Sequence, residues 1–173
     1  PDYDAKLESL LPVLSGELLV KAHAHRADDI ATALRIAKEF NLNMTIEHAT
    51  EGHLIPEKLQ NISCQLGPTL SDRSKPELKN MTFDTYRILA EQGTAVSVIT
   101  DHPVIPINYL PLCAALAVKH GMNETDALKA ITIHPAEHAG IEDRVGSLEV
   151  GKDADIVLMD GSVFESMSNV VAT

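Results

Sequence analysis

Metal-binding residue types stand where three predicted β-strands of this sequence end. His23 and His25 come at the end of the first strand, His48 at the end of the second, and Asp101 directly after the fourth. Imidazole and carboxylate groups that converge on one rim of a sheet form the ligand set of a catalytic zinc ion or a similar divalent metal. The sequence therefore predicts a divalent metal site, with zinc as the expected ion, at the carboxyl ends of these strands.

The identity of the ligand in the first strand stays open from the residues alone. Side chains alternate along a strand, so His23 and His25 point to the same face as Lys21 if the strand extends that far. Asp101 follows an apolar strand, and a carboxylate buried there is costly unless it is paired or bound to a metal. Capping of the next segment is the alternative role for Asp101.

Further polar residues near these strand ends are weaker candidates for substrate contacts. His53 lies in the loop after the second strand, and a solvated loop is an equally good interpretation of it. Arg73 and Lys75 lie in the long loop 69–79, where either can bind an anionic group, although a solvated surface charge is the simpler interpretation. The candidate substrate residues are His25, His53, His102 and Arg73.

Strand and helix patterns alternate along the chain and must position these residues. Apolar runs predict strands over 18–23, 44–48, 62–66 and 95–100, and helical periodicity predicts helices from 28 or 29 to about 40, over 82–92, 110–120 and 124–133. Four such units in sequence imply parallel strands with right-handed crossovers, either in an open doubly wound sheet or in part of a (β/α)8 barrel. From residue 143 short β-like pieces at 147–150 and 155–158 predict a separate small β-structure.

The composition indicates a folded protein and excludes several functional classes. Apolar residues make up 45% of the 173 residues but aromatic residues only 3%, which predicts an aliphatic core and excludes intrinsic disorder. The net charge of −11 argues against nucleic acid and anionic membranes as partners. The sequence has no membrane-helix run, signal-peptide pattern or nucleotide-binding motif. We therefore expect a cytoplasmic protein with a small-molecule substrate.

Longer motifs of the sequence resemble those of the metal-dependent amidohydrolase superfamily, the (β/α)8-barrel hydrolases that include dihydroorotase, hydantoinase and imidazolonepropionase. Residues 20–25 (VKAHAH) are similar to the fifth barrel strand with its ligand histidine, and residues 45–48 (TIEH) to the sixth strand. Residues 99–103 (ITDHP) are similar to the aspartate motif of the eighth strand. Residues 146–157 (GSLEVGKDADIV) resemble the return of the chain into the small β-sandwich beside the barrel.

The resemblance implies an α/β fold that is only part of the family's architecture. Residues 1–142 are expected to be the C-terminal half of a (β/α)8 barrel, strands five to eight, and residues 143–173 a segment of the accessory β-sandwich. The His-x-His pair of the first strand and the lysine or glutamate ligand of the fourth have no counterpart in the sequence. We therefore expect a fragment that pairs with the missing half-barrel or forms a homo-oligomer, and negligible activity from the isolated chain.

The resemblance also implies an activity and roles for particular residues. A divalent metal, one or two zinc ions, would be held by His23, His48 and Asp101, and activated water would hydrolyse an amide or cyclic amide C–N bond. Asp101 would pass the proton to the leaving nitrogen, and His48 would act as a ligand of a second metal or as a polarising group. A non-catalytic amidohydrolase-like assembly protein is the alternative, disfavoured because all three residues are retained.

Overall fold

A parallel four-stranded sheet forms the centre of the computed structural model, which describes residues 3–173. The strands lie side by side in chain order. They are β1 (Val20–Ala24), β2 (Met44–His48), β3 (Cys64–Leu66) and β4 (Val96–Val98). Open doubly wound sheets reverse their strand order at a switch point, whereas barrel strands follow one another in sequence. The observed order is therefore consistent with a segment of a (β/α)8 barrel.

Helices precede, connect and follow these strands. They are α1 (Ala5–Glu8), α2 (Leu11–Leu14), α3 (Ala27–Phe40), α4 (Asp84–Glu91), α5 (Leu110–Lys119), α6 (Glu124–Lys129) and α7 (Ile133–Ala139). Short 3₁₀ turns lie at Gly52–Leu54, Pro56–Lys58, Pro76–Leu78 and Ile107–Tyr109. Within the described residues, none of the helices combines the length and apolar character needed to cross a membrane.

Local sequence signals explain the longest helix, α3, which connects β1 to β2. Asp28 and Asp29 lie in its first turn, where negative charge is favoured by the helix dipole. Ile30 is fully buried on the apolar stripe that packs against the sheet. The helix ends at Asn41, whose left-handed backbone (φ 50°) lets its N–H group bond to the carbonyl of Ala37.

The two faces of the sheet differ in polarity. One cross-strand row consists of Ala22, Ile46, Cys64 and Val96, which pack into the apolar core with the helices. The adjacent row, on the opposite face because side chains alternate, is polar. It consists of His23, Glu47, Gln65 and Ser97. The candidate metal ligand of β1 thus lies on the face that points away from the helical layer of α3 to α6.

The outer edge of β4 is partly covered by the segment that joins α6 to α7 and by the first turn of α7. The N–H group of Val98 donates to the carbonyl of Ala130 at 2.9 Å, and Nδ1 of His134 lies 2.9 Å from the carbonyl oxygen of Val96. Both groups of β4 point away from β3 and would otherwise be unpaired at a sheet edge.

The C-terminal strands differ from those expected from the sequence. Residues 147–150 form no strand, and of the expected piece 155–158 only the last residue is in β5 (Leu158–Met159). This strand pairs with β6 (Val170–Ala172) in an antiparallel two-stranded sheet. Alternation of apolar residues cannot make a strand without a hydrogen-bonding partner, and the apolar side chains at Leu148 and Val150 remain exposed.

Candidate metal centre

Three histidines from the ends of β1 and β2 form one cluster. Nε2 of His23 lies 3.1 Å from Nε2 of His25, and Nδ1 of His23 lies 3.1 Å from Nε2 of His48. Each ring offers a nitrogen within 4.8 Å of the other two. The structure therefore brings together both histidines of the first strand, between which the sequence alone does not choose.

The spacing of these nitrogens fits coordination of one ion. Two histidine nitrogens bound to a tetrahedral zinc ion at about 2.0–2.1 Å are about 3.3 Å apart. The two 3.1 Å separations involve different nitrogens of His23, so a single ion uses only one of them. One nitrogen from each of the three rings lies within 4.8 Å of the other two, a spacing that small shifts of the rings can close around one ion. Imidazole is also a ligand that suits zinc and its first-row neighbours. The three residues therefore fit the divalent metal that the sequence predicts.

His48 reaches the cluster because its backbone is left-handed. In the pairing of β1 with β2, His48 lies opposite the buried Ala24, so regular alternation would direct its side chain toward the helical layer. Its φ of 71° turns the strand end, and the next residue, Ala49, also has a positive φ of 41°. Such backbone costs on the order of 1 kcal/mol for residues other than glycine. Strained backbone of this kind is concentrated at functional sites.

Hydrogen bonds outside the cluster hold two of the rings. Nδ1 of His48 donates to the carbonyl of Gly67 at 2.6 Å, which leaves Nε2 of His48 with a free lone pair. Nδ1 of His25 lies 2.8 Å from the hydroxyl of the buried Thr50. Metal-binding histidines usually have such partners, which fix the tautomer and the ring orientation.

Gly67 can supply this carbonyl only because it has no side chain. Its φ is +138°, and a Cβ atom at this position would overlap the carbonyl oxygen of Ile99, just after β4. Glycine therefore permits both the backbone conformation and the close approach of the two strand ends. The partner of His48 is thus set by backbone packing between β3 and β4.

Burial favours the neutral, metal-binding form of His23 and His25. Burial, followed by the neighbouring rings of His48 and His23, lowers the pKa of His25 to about 4. Burial and then His48 also lower the pKa of His23 from its usual value. A metal binds only the neutral form of histidine, so these shifts favour coordination at neutral pH.

The same rings can instead be linked by hydrogen bonds. Hydrogen bonds can run in one direction through the cluster, each group donating to the next. The series begins at the hydroxyl of Thr50 and ends at the carbonyl of Gly67, and the three rings lie between them in the order His25, His23, His48. Each ring then has one donor and one acceptor nitrogen. This arrangement satisfies the cluster without an ion. Measurement of metal binding therefore distinguishes a metal centre from a purely hydrogen-bonded cluster.

A cavity of about 200 Å³ opens above the cluster, and Asp101 lines it. Asp101 follows β4 and has a left-handed backbone with φ of 50°. Burial and the neighbouring positive groups lower the pKa of His23, and the negative charge of Asp101 partly opposes this effect. The carboxylate is therefore close enough to interact electrostatically with the cluster. Asp101 does not belong to the group of three mutually close ligand residues. The structure therefore places this carboxylate beside the histidine cluster.

The other predicted substrate residues lie outside the lining of this cavity. Nδ1 of His53 is 2.8 Å from the hydroxyl of Thr85 on α4, and His102 is exposed. Arg73 donates Nη2 to the carbonyl of Met81 at 2.7 Å and lines a neighbouring cavity of about 540 Å³. Of the four candidate substrate residues, the structure places only His25 at the cluster.

Thr50 and Gly67 support the cluster, although no sequence motif predicts a role for either residue. A weak signal existed for Gly67, because a glycine followed by proline directly after a strand marks a turn near the strand end. Thr50 carried no comparable signal, because a threonine two residues after a strand is common in loops. Its contact with His25 depends on how the loops after β1 and β2 approach each other.

Comparison with known proteins links the chain to one family. The sequence model of the Amidohydrolase family matches residues 14–173. The crystal structure of an amidohydrolase from Thermotoga maritima MSB8 is similar with a TM-score of 0.92 and 44% identity, over 98% of this chain and 45% of that one. An amidohydrolase of Hapsidospora irregularis is 29% identical over 163 residues, which are 91% of this chain and 17% of that protein. An imidazolonepropionase of Symbiobacterium thermophilum is 39% identical over 85 residues, 47% of this chain and 20% of that protein.

The match extends over most of this chain but only over part of its relatives. The chain spans a fifth or less of the two curated relatives and under half of the Thermotoga maritima protein. The family match nevertheless includes all four strands, the three histidines and Asp101. The resemblance inferred from the sequence motifs is therefore confirmed, and the chain belongs to the amidohydrolase family.

Proposed function

We propose that this chain carries the metal-binding part of a hydrolase that cleaves C–N bonds of amides or cyclic amides. The observation that carries the proposal is the cluster of His23, His25 and His48 beside Asp101 in one cavity. Membership of the amidohydrolase family supports the reaction class. The ligand set proposed here includes His25, which the sequence analysis considers only as a substrate residue or as an alternative to His23.

The three histidines would hold the divalent ion, for which zinc is the expected identity. When bound, the ion supplies Lewis acidity, which polarises a carbonyl oxygen and makes water acidic enough to attack at neutral pH. The bond from His48 to Gly67 keeps the Nε2 lone pair of His48 directed into the cluster. The chain's own contribution is thus a preformed ligand set.

Asp101 would transfer the proton during hydrolysis. A carboxylate oxygen of Asp101 accepts a proton from the attacking water and then donates it to the leaving nitrogen as the C–N bond breaks. The oxygen of the water ends on the carbonyl carbon, and the nitrogen leaves as a neutral amine. Asp101 is exposed, and it forms no ion pair within residues 3–173. Its carboxylate is therefore available for this role.

The proposal is tested by metal analysis and a hydrolysis assay on the intact gene product that contains this chain. We expect about one tightly bound zinc ion or equivalent divalent metal per histidine cluster. We also expect hydrolysis of at least one member of a panel of N-acyl amines and cyclic amides, lost with a chelator and restored by zinc. A metal-free protein that fails to bind added zinc would contradict the proposal. That result would instead support the alternative function, a non-catalytic amidohydrolase-like protein that serves in assembly.

We further propose that the four strands correspond to strands five to eight of a barrel, with residues 143–173 in the accessory β-sandwich. Strand order supports the barrel, and exposed apolar side chains on α1, α2 and residues 148–157 support contacts with further protein. Those contacts would come from additional barrel strands or from a second copy of the chain. Light scattering of the isolated chain should therefore show a dimer or larger assembly with negligible hydrolysis. A stable monomer would contradict the assembly.

A further inference from the structure

One lysine lines the cavity that lies above the histidine cluster. Lys75 and Ser74 belong to the cavity wall formed by the loop between β3 and α4. The positive charge of Lys75 therefore acts on the space where a substrate would meet the cluster.

Lys75 is available to bind a ligand. Among residues 3–173 it forms no ion pair with a carboxylate. Arg73, which the sequence predicts as a substrate residue, instead donates a hydrogen bond to the carbonyl of Met81 and lines the neighbouring cavity. Lys75, and not Arg73, is therefore the cation of this loop that lines the cavity above the candidate metal centre.

The remaining charges of the cavity limit where an anion can bind. Asp72 and Asp101 also line it, and Glu77 acts on the two neighbouring histidines of β1. Asp101 has the proposed role in proton transfer, and the negative charge of Asp72 disfavours an anion on its side. Lys75 and Ser74 are therefore the part of the cavity wall where an anionic group would be stabilised, and the rest of such a ligand would extend toward the cluster.

We propose that Lys75 binds an anionic group of the substrate, so that the protein acts on small C–N compounds that carry a carboxylate or a phosphate. The inference rests on the proposed hydrolytic function and names the substrate class for the same cavity. A cavity of about 200 Å³ is smaller than the roughly 300–1,000 Å³ of sites for drug-sized ligands, which agrees with a small substrate.

A binding experiment tests the anion site without relying on turnover. The metal-free chain is titrated with N-acetylglycine, a carboxylate probe, and with inorganic phosphate, and ligand-observed NMR gives the dissociation constants. We expect the preferred probe to bind more weakly as ionic strength rises, because salt screens the attraction. Lys75→Met should weaken its binding about tenfold and remove the salt dependence, whereas Lys75→Arg should keep most of the affinity.

Lys79→Met is the matched control, because this exposed lysine lies four residues further on and lines neither of the two cavities described above. We expect its affinity for both probes to equal that of the unmodified chain. Preference for N-acetylglycine would identify a carboxylate group, and preference for inorganic phosphate a phosphate group. Unchanged binding of both probes in Lys75→Met, or an equal loss in Lys79→Met, would overturn the inference.

A turnover experiment on the intact gene product separates this inference from the proposed function. N-acyl amino acids are compared with the matching N-acyl amino amides, which lack the negative charge. Lys75→Met should raise KM for the acids about tenfold, change kcat less than threefold and leave the amides unaffected. If Lys75→Met changed KM equally for the acids and the amides while hydrolysis continued, the anion site would be overturned and the proposed function would stand. Lys75-dependent anion binding without any hydrolysis would contradict the proposed function but retain the anion site.

Discussion

Replacement of Asp101 by Asn is expected to lower kcat of the intact gene product by about three orders of magnitude. General acid–base catalysis contributes on the order of 10²- to 10⁴-fold to a rate, and an amide can neither accept nor return the proton. The left-handed backbone at Asp101 should survive the change, because Asn tolerates this conformation as well as Asp does. We therefore expect the free energy of unfolding to change by less than about 1 kcal/mol.

The kinetic measurement should accompany urea unfolding and zinc analysis of the same variant. We expect the Asp101→Asn variant to keep its zinc, because the three histidines remain. Asp72→Asn is the control, since Asp72 lines the same cavity but takes no part in the proposed proton transfer, and its kcat should fall less than tenfold. Comparable rates in Asp101→Asn and the unmodified protein would show that Asp101 does not transfer the proton.

Replacement of His48 by Asn should weaken zinc binding by about two orders of magnitude and lower activity correspondingly. Structural zinc sites with four ligands bind zinc with a free energy of about 10–16 kcal/mol, which is about 3 kcal/mol for each ligand. Asn is preferred to Ala because it tolerates the φ of 71°, and its amide can still donate a hydrogen bond toward Gly67. Competition with a zinc chelator on the chain itself gives the affinity.

Stability provides a second readout for His48→Asn. Zinc at a thousand times its dissociation constant stabilises the folded state by about 4 kcal/mol, and most of this gain should be lost in the variant. His120→Asn is the matched control, because this exposed histidine lies outside the cluster and pairs with Asp84. If zinc stabilised His48→Asn as strongly as the control, His48 would not be a ligand of the ion, and if zinc stabilised neither protein, the cluster would be a hydrogen-bonded group and not a metal centre.

Local signals were sufficient for the elements that carry most of the site. The apolar run over 44–48 predicts β2 with the bounds that the structure shows. The apolar stripe after Asp28 and the stop at Asn41 likewise predict α3, because helix dipole, periodicity and left-handed capping act within a few residues. The expected strand over 147–150 does not form, because a strand needs a hydrogen-bonding partner, which the alternation of apolar residues in the sequence does not reveal.

The sequence by itself determined the family, the parallel α/β pattern and the metal-binding residue types at the strand ends. Tertiary structure decided which of those residues meet. His23, His25 and His48 converge because the left-handed turn at His48 overrides strand alternation, and this turn is held by the carbonyl of Gly67. The conformation of one loop decides that Lys75 and not Arg73 lines the cavity, because Arg73 is held by the carbonyl of Met81. The histidine cluster depends on contacts between loops 19 and 25 residues apart in the chain, which residue types and spacing do not encode locally.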